Sequence, residues 1–180
     1  MSGGYDHGRG PSLAVNPRAI SMLNLGARDG DQRPGGTGFG LLVHGVLAQA
    51  AFDATRLVLD NLAEMEARVL GMSGDEAVAA AAVVERVLAH DLLARARAAD
   101  ARGACRRETP VTYTLSDGVL VEGIVDLAFE DTGAWIVVDY KTDRELAAVG
   151  EDRYRRQVAL YASAIAQATG LPASGVIVRM

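Results

Sequence analysis

The chain has 180 residues, enough for one domain with room for an extension, and its 49% apolar content suffices for a core. A net charge of −5 gives no global signal for a polyanionic partner, although a local basic rim beside an acidic centre remains open. Cys105 is the only cysteine, which excludes an intrachain disulfide and suits a reducing cytoplasm. With no apolar run of about 18 residues and no basic-then-apolar leader, neither a membrane span nor a secretory signal is expected.

Residues 1–37 are rich in Gly, with Pro11, Pro17 and Pro34, and read as an irregular extension or linker in which His7 is simply solvated. Asn16 to Leu25 could form a short helix. The folded domain is expected over 38–180. Gly40 to about Glu66 predicts the first long helix, because Leu41, His44, Leu47, Ala48, Ala51 and Thr55 recur at spacings of three and four. His44 then lies on an apolar stripe, either as a satisfied core histidine or as a ligand. Ser73, with Glu76 three residues on, forms a capping box for a helix to about His90. His90 reads as a helix-end histidine near the negative dipole pole. Asp91 to Ala101 continues that helix or forms another, ended by Gly103.

From Arg106 the period switches to two. Arg107 to Leu115 predicts a strand, Ser116-Asp117-Gly118 a turn, Leu120 to Phe129 a second strand, and Ala134 to Lys141 a third. Leu120, Glu122, Ile124, Asp126 and Ala128 fall on one face by alternation, as do Trp135, Val137, Asp139 and Lys141. A tight turn centred on Thr132-Gly133 sets Asp126 opposite Asp139. Two adjacent carboxylates repel, and a divalent cation removes the conflict. An amine beside such a site can offset charge as a phosphodiester is cleaved. Taken alone, Asp139 and Lys141 could equally be the polar end of a strand, and Glu108 an exposed strand residue.

A helix follows from about Glu151 to Thr169, with Tyr154, Gln157, Val158, Tyr161, Ile165 and Ala168 inward. Gln157 on that stripe needs a hydrogen-bonding partner. Arg153, Arg155 and Arg156 form a basic cluster beside it. Ala173 to Met180 predicts a closing strand, parallel to the third because a helix connects them.

Five pieces in this order, Phe39-Gly-Leu-Leu-Val-His44-Gly, Glu108-Thr-Pro, Gly123-Ile-Val-Asp126, Asp139-Tyr-Lys141-Thr and Gln157-Val-Ala-Leu-Tyr161, resemble the RecB-type nuclease domain of the PD-(D/E)XK superfamily. The resemblance covers roughly residues 38–180 and leaves 1–37 without a counterpart. It implies a restriction-endonuclease-like core of mixed α/β class: N-terminal helices, three antiparallel strands, a crossover helix and a parallel strand. It implies His44, Asp126, Asp139 and the Tyr140 carbonyl as metal ligands and Lys141 as the catalytic lysine. Glu108 matches the upstream acidic residue, acting through a water, and Gln157 and Tyr161 match the helix motif that orients the lysine or the DNA. Mg²⁺ is the implied cofactor, and the histidine ligand makes Mn²⁺ a good substitute.

The implied activity is that of a deoxyribonuclease, the exonuclease part of a helicase–nuclease system in double-strand-break repair and recombination. It would act on single-stranded DNA with a helicase partner, and Arg144, Arg153, Arg155 or Arg156 would contact phosphates. Val125 stands where the superfamily's name has proline, a departure common in the RecB-type branch. No Gly-x-x-x-x-Gly-Lys-Ser/Thr loop occurs, so the chain is not expected to bind ATP by that route and a motor would be a separate element. The alternative is a non-catalytic DNA-binding or scaffolding domain of the same fold; such relatives typically lose the carboxylates or the lysine, which are present here.

Overall fold

A computed structural model of the chain describes residues 15–26, 37–115, 118–142, 145–147 and 150–180. Helices α1 (Thr37–Gln49), α2 (Arg56–Leu70), α3 (Gly74–Leu88) and α4 (Asp91–Asp100) precede three strands, β2 (Cys105–Thr114), β3 (Leu120–Asp131) and β4 (Ala134–Lys141). Helix α5 (Glu151–Thr169) and strand β5 (Ala173–Arg179) close the chain, and a short β1 (Ser21–Asn24) comes before all of these. The sheet order is β1-β5-β4-β3-β2. β2, β3 and β4 pair antiparallel, and β5 is parallel to both β4 and β1. The expected meander, crossover helix and parallel strand are all present.

Two cores sandwich the sheet. Helices α1–α4 bury Leu42, Val46, Leu59, Ala80 and Val84 against one face, where Leu127, Phe129, Ile136, Val138 and Tyr140 meet them. Helix α5 buries Val158, Ala162 and Ile165 against the other, meeting Val125, Ala128, Val137 and Ile177. The α5 face leaves no room for a side chain at Gly175. A Cβ there would lie 2.3 Å from Val158 Cγ1 and 2.8 Å from the Ile20 methyl. Gly175→Ala is therefore expected to cost about 1–3 kcal/mol by overpacking, read as a fall in the denaturant midpoint.

Three expectations are corrected. The segment Asn16 to Leu25 forms a single 3-10 turn at Pro17–Ala19, and Ser21–Asn24 then joins the sheet as a parallel edge strand. Its ladder partner is β5, far away in sequence, so no local pattern marks it as a strand. The long helix from Gly40 to Glu66 is two helices, parted between Ala50 and Thr55, where Thr55 takes the extended conformation of an N-cap. Arg107 seals the break, donating to the carbonyls of Leu47 and Ala50 while its guanidinium lies 3.8 Å from the Phe52 ring centroid. His90 sits at the end of α3, its N–H donating to the Val87 carbonyl, but it has a role beyond that end: its Nδ1 accepts from the Leu92 N–H at 3.1 Å as the N-cap that starts α4 as a separate helix.

The capping box of Ser73 and Glu76 forms as expected. The turn predicted at Ser116-Asp117 and the phosphate contact expected of Arg144 lie outside the described residues. No helix among the described residues is long and apolar enough to cross a membrane.

Candidate active site

The β3–β4 turn has Thr132 and Gly133 both at positive φ, the conformation of a two-residue hairpin, and pairs Asp131 with Ala134. Pairing runs to Leu127 opposite Val138, so the next pair in register is Asp126 and Asp139. At that point the strands part. The N–H and carbonyl of Tyr140, freed from the ladder, find side chains instead. The N–H donates to Asp126 Oδ2 at 2.8 Å, and the carbonyl accepts from Lys141 Nζ at 3.0 Å.

Strand β2 is irregular at the same level. Glu108 stands at φ 45°, a left-handed conformation rare for this residue type, beside the pairs Arg107–Leu127 and Thr109–Val125. Across this kink the alternation of β3 breaks. Val125 and Ala128, three residues apart, both face α5, although strict alternation places them on opposite sides. The shared face expected for Ala128 and Asp126 is thereby corrected: Asp126 turns toward α1, and its Oδ1 lies 3.8 Å from His44 Nδ1.

His44, Glu108, Asp126 and Tyr140 line one small recess, together with Arg107 and Phe52. The His44 ring meets the Tyr140 ring edge-on at 6.2 Å, and its Nε2 is buried without a hydrogen-bond partner. Asp139 is 3% exposed and Lys141 8%. Asp139 Oδ2 lies 2.8 Å from Lys141 Nζ, close enough for an ion pair, yet the angles do not make a directed hydrogen bond and the oxygen remains otherwise unpartnered. Burial pushes the Asp139 carboxyl up to about 6; Lys141 opposes the rise and the Asp126 charge adds to it. Burial works most strongly against the charged form of Lys141, but Asp139, Asp126 and Glu145 together outweigh it and the pKa of the lysine is raised. The Glu108 carboxyl is raised too, by burial and then by Asp126.

The ammonium of Lys141 thus sits on two oxygens, Asp139 Oδ2 and the Tyr140 carbonyl, that the family resemblance implies as metal ligands. With the orphaned His44 nitrogen and the Asp126 carboxylate, the donor set suits a hard or borderline divalent ion. Among the described residues, no three His, Cys, Asp or Glu side chains are gathered as a ready-made metal site.

Helix α5 closes the site from the other face. Gln157 Nε2 donates to Tyr161 Oη at 2.7 Å, which supplies the partner its inward position requires. Tyr161 lies over Gly123 so closely that a Cβ there would fall 2.3 Å from its Oη. Gly123→Ala is expected to displace Tyr161, break its bond to Gln157 and lower kcat by about tenfold with little change in secondary structure, as checked by steady-state kinetics beside circular dichroism.

Sequence reasoning gives no role to Tyr154, whose ring centroid lies 5.0 Å from Lys141 Nζ; its inward position one turn before Gln157 is the available signal. It also passes over Thr142, whose hydroxyl and N–H both donate to Glu145 at 2.7 and 2.8 Å. The Thr-x-x-Glu spacing is a capping-box signature. It fixes the exit of β4 against α1, where a Cβ on Gly40 would touch Glu145 at 3.4 Å. Of the arginines, Arg155 is engaged: it pairs with Glu151 and donates to the Ile20 carbonyl, tying the N-terminal turn to α5. Arg153 is exposed, and Arg156 lines a cleft with Arg18, Asn16 and Asp152.

A model of the PD-(D/E)XK nuclease superfamily matches residues 21–180. The chain belongs to that superfamily. The match takes in β1, which the expected boundary at residue 38 leaves outside the fold. Over 152 residues the chain is 31% identical to an ATP-dependent helicase/nuclease subunit from Lysinibacillus sphaericus (strain C3-41), covering 75% of this chain and 12% of that protein. Over 85 residues it is 35% identical to the protein of the same name from Listeria welshimeri serovar 6b, covering 36% of this chain and 7% of the relative. The chain therefore matches only a small part of the length of these curated relatives. This superfamily nuclease domain carries the carboxylate pair and lysine described above.

Proposed function

We propose that this PD-(D/E)XK domain is a Mg²⁺-dependent deoxyribonuclease, with Mn²⁺ a competent substitute, that hydrolyses phosphodiester bonds in single-stranded DNA. It would serve as the exonuclease of a helicase–nuclease system in break repair and recombination, in the cytoplasm, within the segment 38–180 together with β1. The observation that carries this reading is Lys141 Nζ lying between Asp139 Oδ2 and the Tyr140 carbonyl, with the charge of Asp126, 3.8 Å from His44, also acting on it. Asp126, Asp139, His44 and the Tyr140 carbonyl would hold the ion. The chemistry a divalent ion supplies in such a site is polarisation of a phosphoryl oxygen and acidification of a water.

The chain's own residues do the rest. Asp139, which pairs with Lys141, would hold the ion in its deprotonated form. Lys141, an ammonium buried beside the Tyr154 ring, offsets negative charge that develops on the phosphate. Glu108 orients a water across the recess, and Gln157 and Tyr161 hold the lysine side of the site rigid. Arg153 and Arg156 contact the phosphate backbone without reading sequence, whereas Arg155 braces the fold.

The test is cleavage of single-stranded DNA by the isolated chain with Mg²⁺ or Mn²⁺, absent with EDTA. A parent that binds DNA yet is inert with every metal supports the non-catalytic alternative instead.

A further inference from the structure

On the α1 side the sheet is half covered and half bare, and the acidic site lies on the boundary. Helices α1–α4 cover Leu127, Phe129, Ile136, Val138 and Tyr140. Beyond Glu108 and Asp126, β2 and β3 run on as a two-stranded ribbon with the pairs Pro110–Ile124, Thr112–Glu122 and Thr114–Leu120. All six of these residues are exposed, whereas the intervening positions Thr109, Val111, Tyr113, Val121, Gly123 and Val125 are half-buried or buried. The bare face is apolar for its length: Ile124 is 57% exposed and Leu120 56%. Its one charged residue is Glu122, and it carries no lysine or arginine.

We propose that this face is a nucleobase platform. It would hold the single-stranded segment next to the scissile phosphate, with Ile124, Leu120 and Pro110 as its apolar contacts. The inference rests on the nuclease reading above and adds where the strand lies. Continuity selects the occupant: Ile124 is two residues from Asp126 and Pro110 two from Glu108, so a strand with its phosphate at the carboxylates is already at the ribbon. Charge selects its orientation. A face with a carboxylate and no cation repels phosphates, so bases turn toward it and phosphates away. From Asp126 to Leu120 the ribbon extends about 20 Å at the rise of a strand. Apolar contact with base faces is tolerant of sequence, which suits an enzyme that digests any strand.

The test compares the parent with Ile124→Ser/Leu120→Ser on an oligothymidylate of about twelve nucleotides. The double variant is expected to raise KM about tenfold with kcat, melting temperature and the salt dependence of binding unchanged. Hydrolysis of thymidine 5′-p-nitrophenyl phosphate, too short to reach the ribbon, should not change. Ile124→Trp should tighten binding several-fold, a gain that misfolding cannot produce. Equal KM for parent and double variant, a changed salt slope, or no gain from Trp overturns the platform while the nuclease reading stands. A parent that neither binds nor cleaves DNA overturns both.

Discussion

Asp139→Ala is expected to reduce DNA cleavage by about three orders of magnitude or more, because the proposed metal ligand and the lysine's ion-pair partner are lost together. Lys141→Ala should come within about tenfold of the same loss, and the double variant should be little worse than either single one, since the groups act as a unit. The far-UV circular dichroism spectrum should not change, but stability should. Each single variant leaves one buried charge without its partner, at a cost on the order of 3 kcal/mol. Asp139→Leu with Lys141→Met removes both charges and should restore or exceed the parent's melting temperature while remaining inactive. Single-turnover cleavage and thermal melts on the four proteins check this. Parent-like cleavage by Asp139→Ala would remove the assigned site.

The metal-free protein should lose stability as pH rises through about 6. Asp139 titrates at about 6 in the folded chain against 3.8 for the free side chain, with burial as the first cause. An acid whose folded pKa is raised binds more protons folded than unfolded between those values. Its contribution is therefore fully present below about pH 4 and lost as pH climbs past 6, on the order of 3 kcal/mol. The raised carboxyl of Glu108 acts in the same direction. Lys141, raised from 10.5, does not titrate in this window. Thermal melts in EDTA from pH 5 to 8 should show a fall that Asp139→Asn flattens, and Mg²⁺ should offset the fall most at the alkaline end, where the carboxylate is free to bind it. Cleavage should rise through the same interval.

Features set by local spacing were legible in the sequence. The turn at Thr132 and Gly133 fixes a register that places Asp126 level with Asp139, and the stripe from Tyr154 to Ile165 gives the bounds and inward face of α5. Features that depend on distant partners were not. Apolar residues at helical spacing run through Ala51 and Thr55, so nothing local announces the break that Arg107, more than fifty residues later, seals. Ser21–Asn24 is too short and too mixed to declare itself a strand without β5 beside it. The kink at Glu108 is likewise invisible to alternation. Its consequence, the turning of Asp126 toward His44, is what makes the site three-dimensional rather than a flat row on a sheet.

Pro110 has a meaning of its own. β2 is the outer strand on its side of the sheet, ten residues long, and such a margin invites another chain to zip on. A proline without an N–H at mid-strand, two residues past a left-handed glutamate, interrupts the row of donors that an incoming strand needs. The irregularity that aims the acid cluster thus also guards the molecule against fibrillar self-association, and smoothing it with glycine and valine would invite aggregation.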